Sequence, residues 1–182
     1  MRSGKTCGVE LSPRPEPEAY GRVTNPERYS VVVDRARSLI DRLVERFDAT
    51  REDGDVSVDF PRWRGVEGET VRLRPAQGAP IALMVTEFPG VIARFGQWGE
   101  EGFPSCGCDA CDEDPAEVID RLERLIDAAV RGEYCERLTR RWLWTSFSGP
   151  GGSEWSRGRV FRSQRRYLGR RGRHEWKPWP TR

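Results

Sequence analysis

The hydrophobic period of this 182-residue chain switches from helical to strand-like and back, which restricts it to folds that mix both kinds of element. Tyr29, Val32, Val33, Ala36, Leu39, Ile40, Leu43, Val44 and Phe47 recur at three- and four-residue spacing and form one apolar face. Asn25-Pro26-Glu27 marks the start of that helix. Asn25 can cap free N–H groups, Pro26 needs no N–H at the first position, and Glu27 suits the positive end of the dipole. From Val56 the period becomes two, through Val58 and Phe60 and again at Val71 and Leu73. The continuous run Ile81 to Val85 predicts a central strand, and Phe88-Pro89-Gly90 turns into another from Val91 to Trp98.

The helical period returns with Val118, Ile119, Leu122, Leu125, Ile126 and Ala129. Asp114 caps this second helix, Pro115 opens it, Glu117 holds the capping-box position and Gly132 ends it. Leu138, Trp142 and Trp144 then alternate, and a glycine-rich loop at 149–152 leads to a strand near Trp155 to Phe161. Short strands joined by tight loops, with one apolar face per helix, predict an α+β two-layer sandwich. Its antiparallel sheet carries both amphipathic helices on one face. The expected organisation is a flexible lead-in over 1–23, an α+β domain over 24–147, and a basic extension over 148–182 that packs on or continues the domain.

No run reaches the roughly 20 apolar residues of a membrane span, and Met1 to Tyr20 lacks the apolar centre of a signal peptide. A cytoplasmic protein with no membrane partner is therefore expected. In that reducing setting the five cysteines read as thiols or metal ligands rather than as a disulfide framework. Ser3-Gly4-Lys5-Thr6 ends like a phosphate-binding loop but lacks that loop's first glycine and a preceding strand.

Cys106-Gly107-Cys108-Asp109-Ala110-Cys111 places three thiols within six residues, between a predicted strand and a predicted helix. Thiolates bind zinc tetrahedrally, and two-residue spacing lets one turn present two sulfurs to one ion, with Gly107 permitting the tight backbone. Cys135 is the expected fourth ligand, with Cys7, His174 and Asp109 as alternatives. Two further readings stay open: redox chemistry at the Cys108/Cys111 pair, and a tight loop of small side chains with no ligand. A helix N-terminus would lower a thiol pKa, whereas Asp109, Asp112, Glu113 and Asp114 would raise it.

Charge is divided unevenly. Leu138 to Arg182 holds twelve Lys/Arg against two acids, a net +10, and Met1 to Arg137 carries −8. Such a division suggests a basic tail that docks on its own acidic body or meets an acidic partner. Arg159, Arg162, Arg165, Arg166, Arg170, Arg171 and Arg173, with Tyr167, Trp176 and Trp179 nearby, form a candidate nucleic-acid-binding set. Nearly all the basic residues are arginine, a bias that genome composition also produces.

Three segments resemble an uncharacterised bacterial family found mainly in actinobacteria. They are Val23-Thr24-Asn25-Pro26-Glu27-Arg28-Tyr29, Thr86-Glu87-Phe88-Pro89-Gly90-Val91, and Phe103-Pro104-Ser105 with the cysteine loop through Glu113. The resemblance covers about Tyr20 to Arg137, with Trp176-Lys177-Pro178-Trp179-Pro180 similar as well, and it brings no activity or site residue. His174 is the single histidine, which leaves serine and cysteine triads little to work with. The expectation is a non-catalytic accessory or protein-interaction domain with a structural, zinc-binding cysteine loop. The alternatives are a nucleic-acid-associated protein and a thiol- or metal-dependent enzyme.

Overall fold

The apolar stripe beginning at Tyr29 does form a helix, α1 (Ser30–Arg46), which buries Val32, Val33, Ala36, Leu39, Ile40 and Leu43. Asn25 does not cap it. Pro26 instead opens a 3-10 turn over Pro26–Tyr29, and α1 follows directly from that turn. The computed structural model describes residues 15–63, 65–150 and 152–182. The phosphate-loop-like segment at Ser3 to Thr6, Cys7 and most of the expected lead-in lie outside them.

Five antiparallel strands follow in sequence order: β1 (Ala49–Asp53), β2 (Gly68–Pro75), β3 (Ile81–Thr86), β4 (Val91–Phe95) and β5 (Gly99–Phe103). Their register decides which face is buried. Val71 opposes Leu83 and Leu83 opposes Ala93, while Leu73 opposes Ile81 and Ile81 opposes Phe95. These residues share one face, and they form a single core with α1 and with α3 (Pro115–Val130). Asp114 accepts from Ala116 N at 2.9 Å as the N-cap of α3, and Gly132 (φ +75°) follows its end.

The opposite face differs from expectation. Val56, Val58 and Phe60 do not form a strand; they lie in and beside a single helical turn, α2 (Val56–Asp59). Asp55 accepts from Ser57 N at 2.7 Å to start the turn, and Asp59, buried beneath it, accepts from Arg72 Nε at 2.7 Å. Phe60 then covers Ala82, Met84 and Ile92 on the outer face of the sheet. Period two was imitated by a turn with one anchoring side chain. The strand that pairs on β2 is β1, whose only buried residue is Ala49.

The class is α+β, as the periodicity predicts, but the strands beyond α3 form a second sheet instead of extending the first. It contains β6 (Tyr134–Leu138), β7 (Trp142–Phe147), β8 (Glu154–Arg159) and β9 (Gly172–Glu175), in the order β8-β7-β6-β9. A one-turn helix, α4 (Arg165–Leu168), precedes β9. Thr139 closes the β6–β7 hairpin, its N–H donating to Trp142 O at 2.8 Å and its hydroxyl accepting from Trp142 N at 3.0 Å. This local pairing satisfies one edge of β6 and β9 returns to satisfy the other.

Glu136 joins the two sheets. Its side chain is 1% exposed, and it accepts from Gln97 N (2.7 Å), Trp98 N (2.8 Å), Gly99 N (3.2 Å) and Trp176 Nε1 (3.2 Å). The Tyr134 hydroxyl stands 3.0 Å from the same carboxylate and 3.2 Å from Phe95 O. Gly96, at φ +61°, is required where it stands, because a Cβ there would come within 2.4 Å of Glu136 Oε1. The carboxylate therefore occupies the corner of the β4–β5 hairpin and satisfies amides that the turn leaves free.

The closing residues pack across this assembly. Trp179 is 3% exposed, donates from Nε1 to Ala79 O at 2.9 Å and meets Phe47 edge-on at 5.9 Å. The end of the chain is thus anchored by tryptophan. Among the described residues, the arginines from 157 to 171 make no ion pair with the acidic body.

Replacing Glu136 with Ala leaves four donors without their acceptor, among them the buried amides of Trp98 and Gly99, at a cost of about 3 kcal/mol. Urea unfolding should show that loss for Glu136→Ala, while Arg137→Ala, one residue away and exposed, should change stability by less than about 0.5 kcal/mol.

Candidate metal centre

The segment from Pro104 to Asp114 links the last strand of the first sheet to α3, and its own acidic side chains hold its shape. Glu113 reaches back to accept from Cys106 N (2.6 Å) and Ser105 N (3.2 Å). Cys111 N and Asp112 N both donate to Cys108 O at 3.1 Å, closing a tight turn in which Asp112 adopts φ +42°. Asp112 is ion-paired with Arg28.

A second set of bonds ties the loop to the residues before α1. Asp109 N donates to Arg22 O at 2.8 Å, and Ala110 N donates to Ala19 O at 3.2 Å. The Asp109 carboxylate accepts from Arg22 Nε (2.7 Å) and Thr24 N (2.9 Å). The Tyr29 hydroxyl donates to Glu113 O at 3.0 Å. Gly107 lies against Phe88, where a Cβ would come within 2.4 Å of the ring. Any larger residue at 107 would push the loop off that surface.

This frame brings Cys106, Cys108 and Cys111 together, with their Sγ atoms all within 4.8 Å of one another. Cys106 Sγ lies 3.3 Å from Cys108 Sγ. Cys108 is buried, Cys106 half-buried and Cys111 exposed, so the cluster opens to solvent on one side. The Cys106 thiol and the Gly21 amide donate to Cys108 and lower its pKa to about 6. Cys111 is pushed up to about 12, chiefly by its hydrogen bonds to Cys106 and Cys108. One thiolate is thus shared by two neighbouring thiols. The expected upward effect of the acids is not realised at Cys108, because Asp109, Asp112 and Glu113 are turned into bonds with Arg22, Arg28 and backbone amides.

Among the described residues, none of the expected fourth ligands joins the three sulfurs. Cys135 is in β6, paired with Ser146 and Glu175 in the second sheet, and does not belong to the thiol group. His174 is stacked on Trp176 at 5.1 Å and tilted against Trp98 at 4.9 Å. Asp109 is occupied by Arg22 and Thr24. Among the described residues, the three sulfurs therefore form a partial shell with one side open. Beside it runs a cleft of about 750 Å³ lined by Trp63, Val66, Phe88, Phe103, Cys106 and Gly107.

A family model described as "Family of unknown function (DUF6226)" matches residues 8–182. The chain belongs to that family. The match extends well past the Tyr20 to Arg137 span of the resemblance and takes in the second sheet and the closing tryptophans. Comparison with curated proteins and with solved structures finds no match. For this DUF6226 member the chemistry must therefore come from the side chains themselves.

The seven arginines proposed from sequence are scattered more widely than their spacing suggests. Arg159 and Arg173 lie on β8 and β9, Arg165 and Arg166 on α4, and Arg162, Arg170 and Arg171 in the connecting loops. Arg157, in the same basic stretch, shares one face with Arg173 and with Arg137, Trp144 and Trp155, none of which the spacing of the arginines singles out. The signal was present as the alternations Trp142/Trp144 and Trp155/Arg157/Arg159, but it yields a face only once the pairing is known. Among the described residues no helix is long and apolar enough to cross a membrane.

In metal-free protein, thiolate absorbance should rise with a midpoint near pH 6 by one group per chain, since Cys108 ionises first. Cys108→Ser should abolish that step. If it survives the substitution, another thiol is the acidic one.

Proposed function

We propose that the loop is a structural zinc site and that the chain is a non-catalytic protein-interaction module built around it. The convergence of three sulfurs within 4.8 Å carries this reading. Thiolates about 2.3 Å from one tetrahedral zinc stand roughly 3.8 Å apart, so small side-chain rotations would suffice. Cys106, Cys108 and Cys111 would be the ligands, with water or a partner's side chain completing the shell from the exposed side. Binding replaces the protons now shared among the three sulfurs, so affinity falls as pH drops through the range where Cys108 protonates.

A structural role fits the surroundings better than catalysis does. The acids nearest the sulfurs are engaged in holding the loop, and the open side faces solvent. A metal here would fasten three pieces of chain: the 19–24 segment, the end of β5 and the start of α3. The cleft walled by Trp63, Phe88 and Phe103 lies against the fastened loop and supplies a surface for a protein partner. A reducing compartment such as the cytoplasm would keep the thiols available.

Protein purified without a metal column should contain about one zinc per chain by elemental analysis. Cys106→Ser/Cys108→Ser/Cys111→Ser should lose it, and Cys135→Ser should keep it. Removing the metal should lower the melting temperature by roughly 5–10 °C, the equivalent of about 2–3 kcal/mol for a chain of this size. Metal-free protein whose thiols all react freely, and which takes up no added zinc, would retire the site.

A further inference from the structure

The outer face of the second sheet is unlike the rest of the surface. Opposed residues in antiparallel strands point to the same side, so the register defines the face directly. Arg157 opposes Trp144, Trp144 opposes Arg137, and Arg137 opposes Arg173, giving one row across all four strands. In the rows on either side, Trp155 opposes Ser146 and Arg159 opposes Trp142. Tyr134, Glu136 and Phe147 alternate with these residues and point inward.

Four features set this face apart. Trp155 is 68% exposed and Trp144 36% exposed, an unusual placement for the largest side chain unless something covers it. The two indoles form a loosely stacked pair, their planes within 26° of parallel and their centroids 6.5 Å apart. Arg157 lies over Trp142 and Trp144, at 4.6 and 5.0 Å from their centroids, adding a cationic plane between indoles. A cavity of about 630 Å³ opens over the face, lined by Arg137, Trp142, Trp144, Trp155 and Arg173 among others.

We infer that this face binds a single strand of nucleic acid. Exposed Arg137, Arg157, Arg159 and Arg173 meet the phosphates, and Trp144 and Trp155 stack on unpaired bases. Glu175, ion-paired with Arg173, is the one acid among the residues facing outward on the four strands. The four-strand row spans roughly 14 Å at the usual strand spacing, room for two or three bases laid across it. A duplex hides its base faces and could meet only the arginines. The inference is independent of the cysteine loop, which belongs to the other end of α3.

Fluorescence anisotropy of the full chain with labelled 12-residue oligo-dT and oligo-U, and with a 12-base-pair duplex, tests it. Either single strand should bind more tightly than the duplex and quench tryptophan emission. The affinity should fall with salt at a log–log slope of about −2 to −3, as for three or four phosphates. Trp144→Ala and Trp155→Ala should each weaken binding by about tenfold, with melting temperature unchanged. No single-strand binding at 100 mM salt, or binding to duplex and heparin that ignores both substitutions, would overturn the inference. A proline-rich peptide that binds with the same tryptophan dependence while the oligonucleotides do not would overturn it equally, making the face a protein site.

Discussion

A single carboxylate holds the two sheets in register with each other. Glu136 belongs to the second sheet by backbone pairing and to the first by its side chain, which closes the free amides of the β4–β5 hairpin. Burial raises its pKa, and donors from Gln97, Trp98, Tyr134 and Trp176 offset part of that shift. Such a group is stable only if nearly all its lone pairs are engaged, so its position fixes its neighbours. Gly96 and Gly99 leave room for it and for the Tyr134 hydroxyl, and Trp176 brings the chain terminus to the same point. Arg121 reinforces the junction further out, bonding Glu101 on β5 and Glu154 on β8 at 2.8 Å each.

The parts of this architecture that the sequence displayed were those governed by local periodicity. Both long helices follow from their apolar spacing, and Asp114, Pro115 and Gly132 bound the second as their chemistry requires. The central position of β3 follows from its uninterrupted apolar run. Failures came where a long-range partner decided the outcome. Val56 to Phe60 alternates like a strand, but Asp55 and the Asp59–Arg72 pair make it a turn. β1 shows almost no apolar pattern because its stability comes from pairing with β2 at the sheet edge. No periodicity could reveal that the later strands form a sheet of their own, since that depends on β9 returning across 34 residues to β6.

The same division applies to the thiols. Their proximity was legible because six residues cannot separate three side chains far. The electrostatics were not, because Asp109, Asp112 and Glu113 act on the sulfurs only if they face them. The fold turns them toward Arg22, Arg28 and the loop's own amides. Cys135 shows the reverse case: close to α3 in sequence, it is carried by β6 onto a different surface.

The strand order has a further consequence for how copies of this protein meet. Among the described residues β8 is the outer strand of the second sheet, and Ser156 through Arg159 are all exposed. A bare edge beside exposed tryptophans would ordinarily invite another chain to add a strand and grow into an aggregate. Here Arg157 and Arg159 stand on that strand, and two such edges approaching each other would bring like charges together. Like charges along that strand therefore disfavour edge-to-edge pairing between copies and leave the tryptophan face available to a partner of opposite charge.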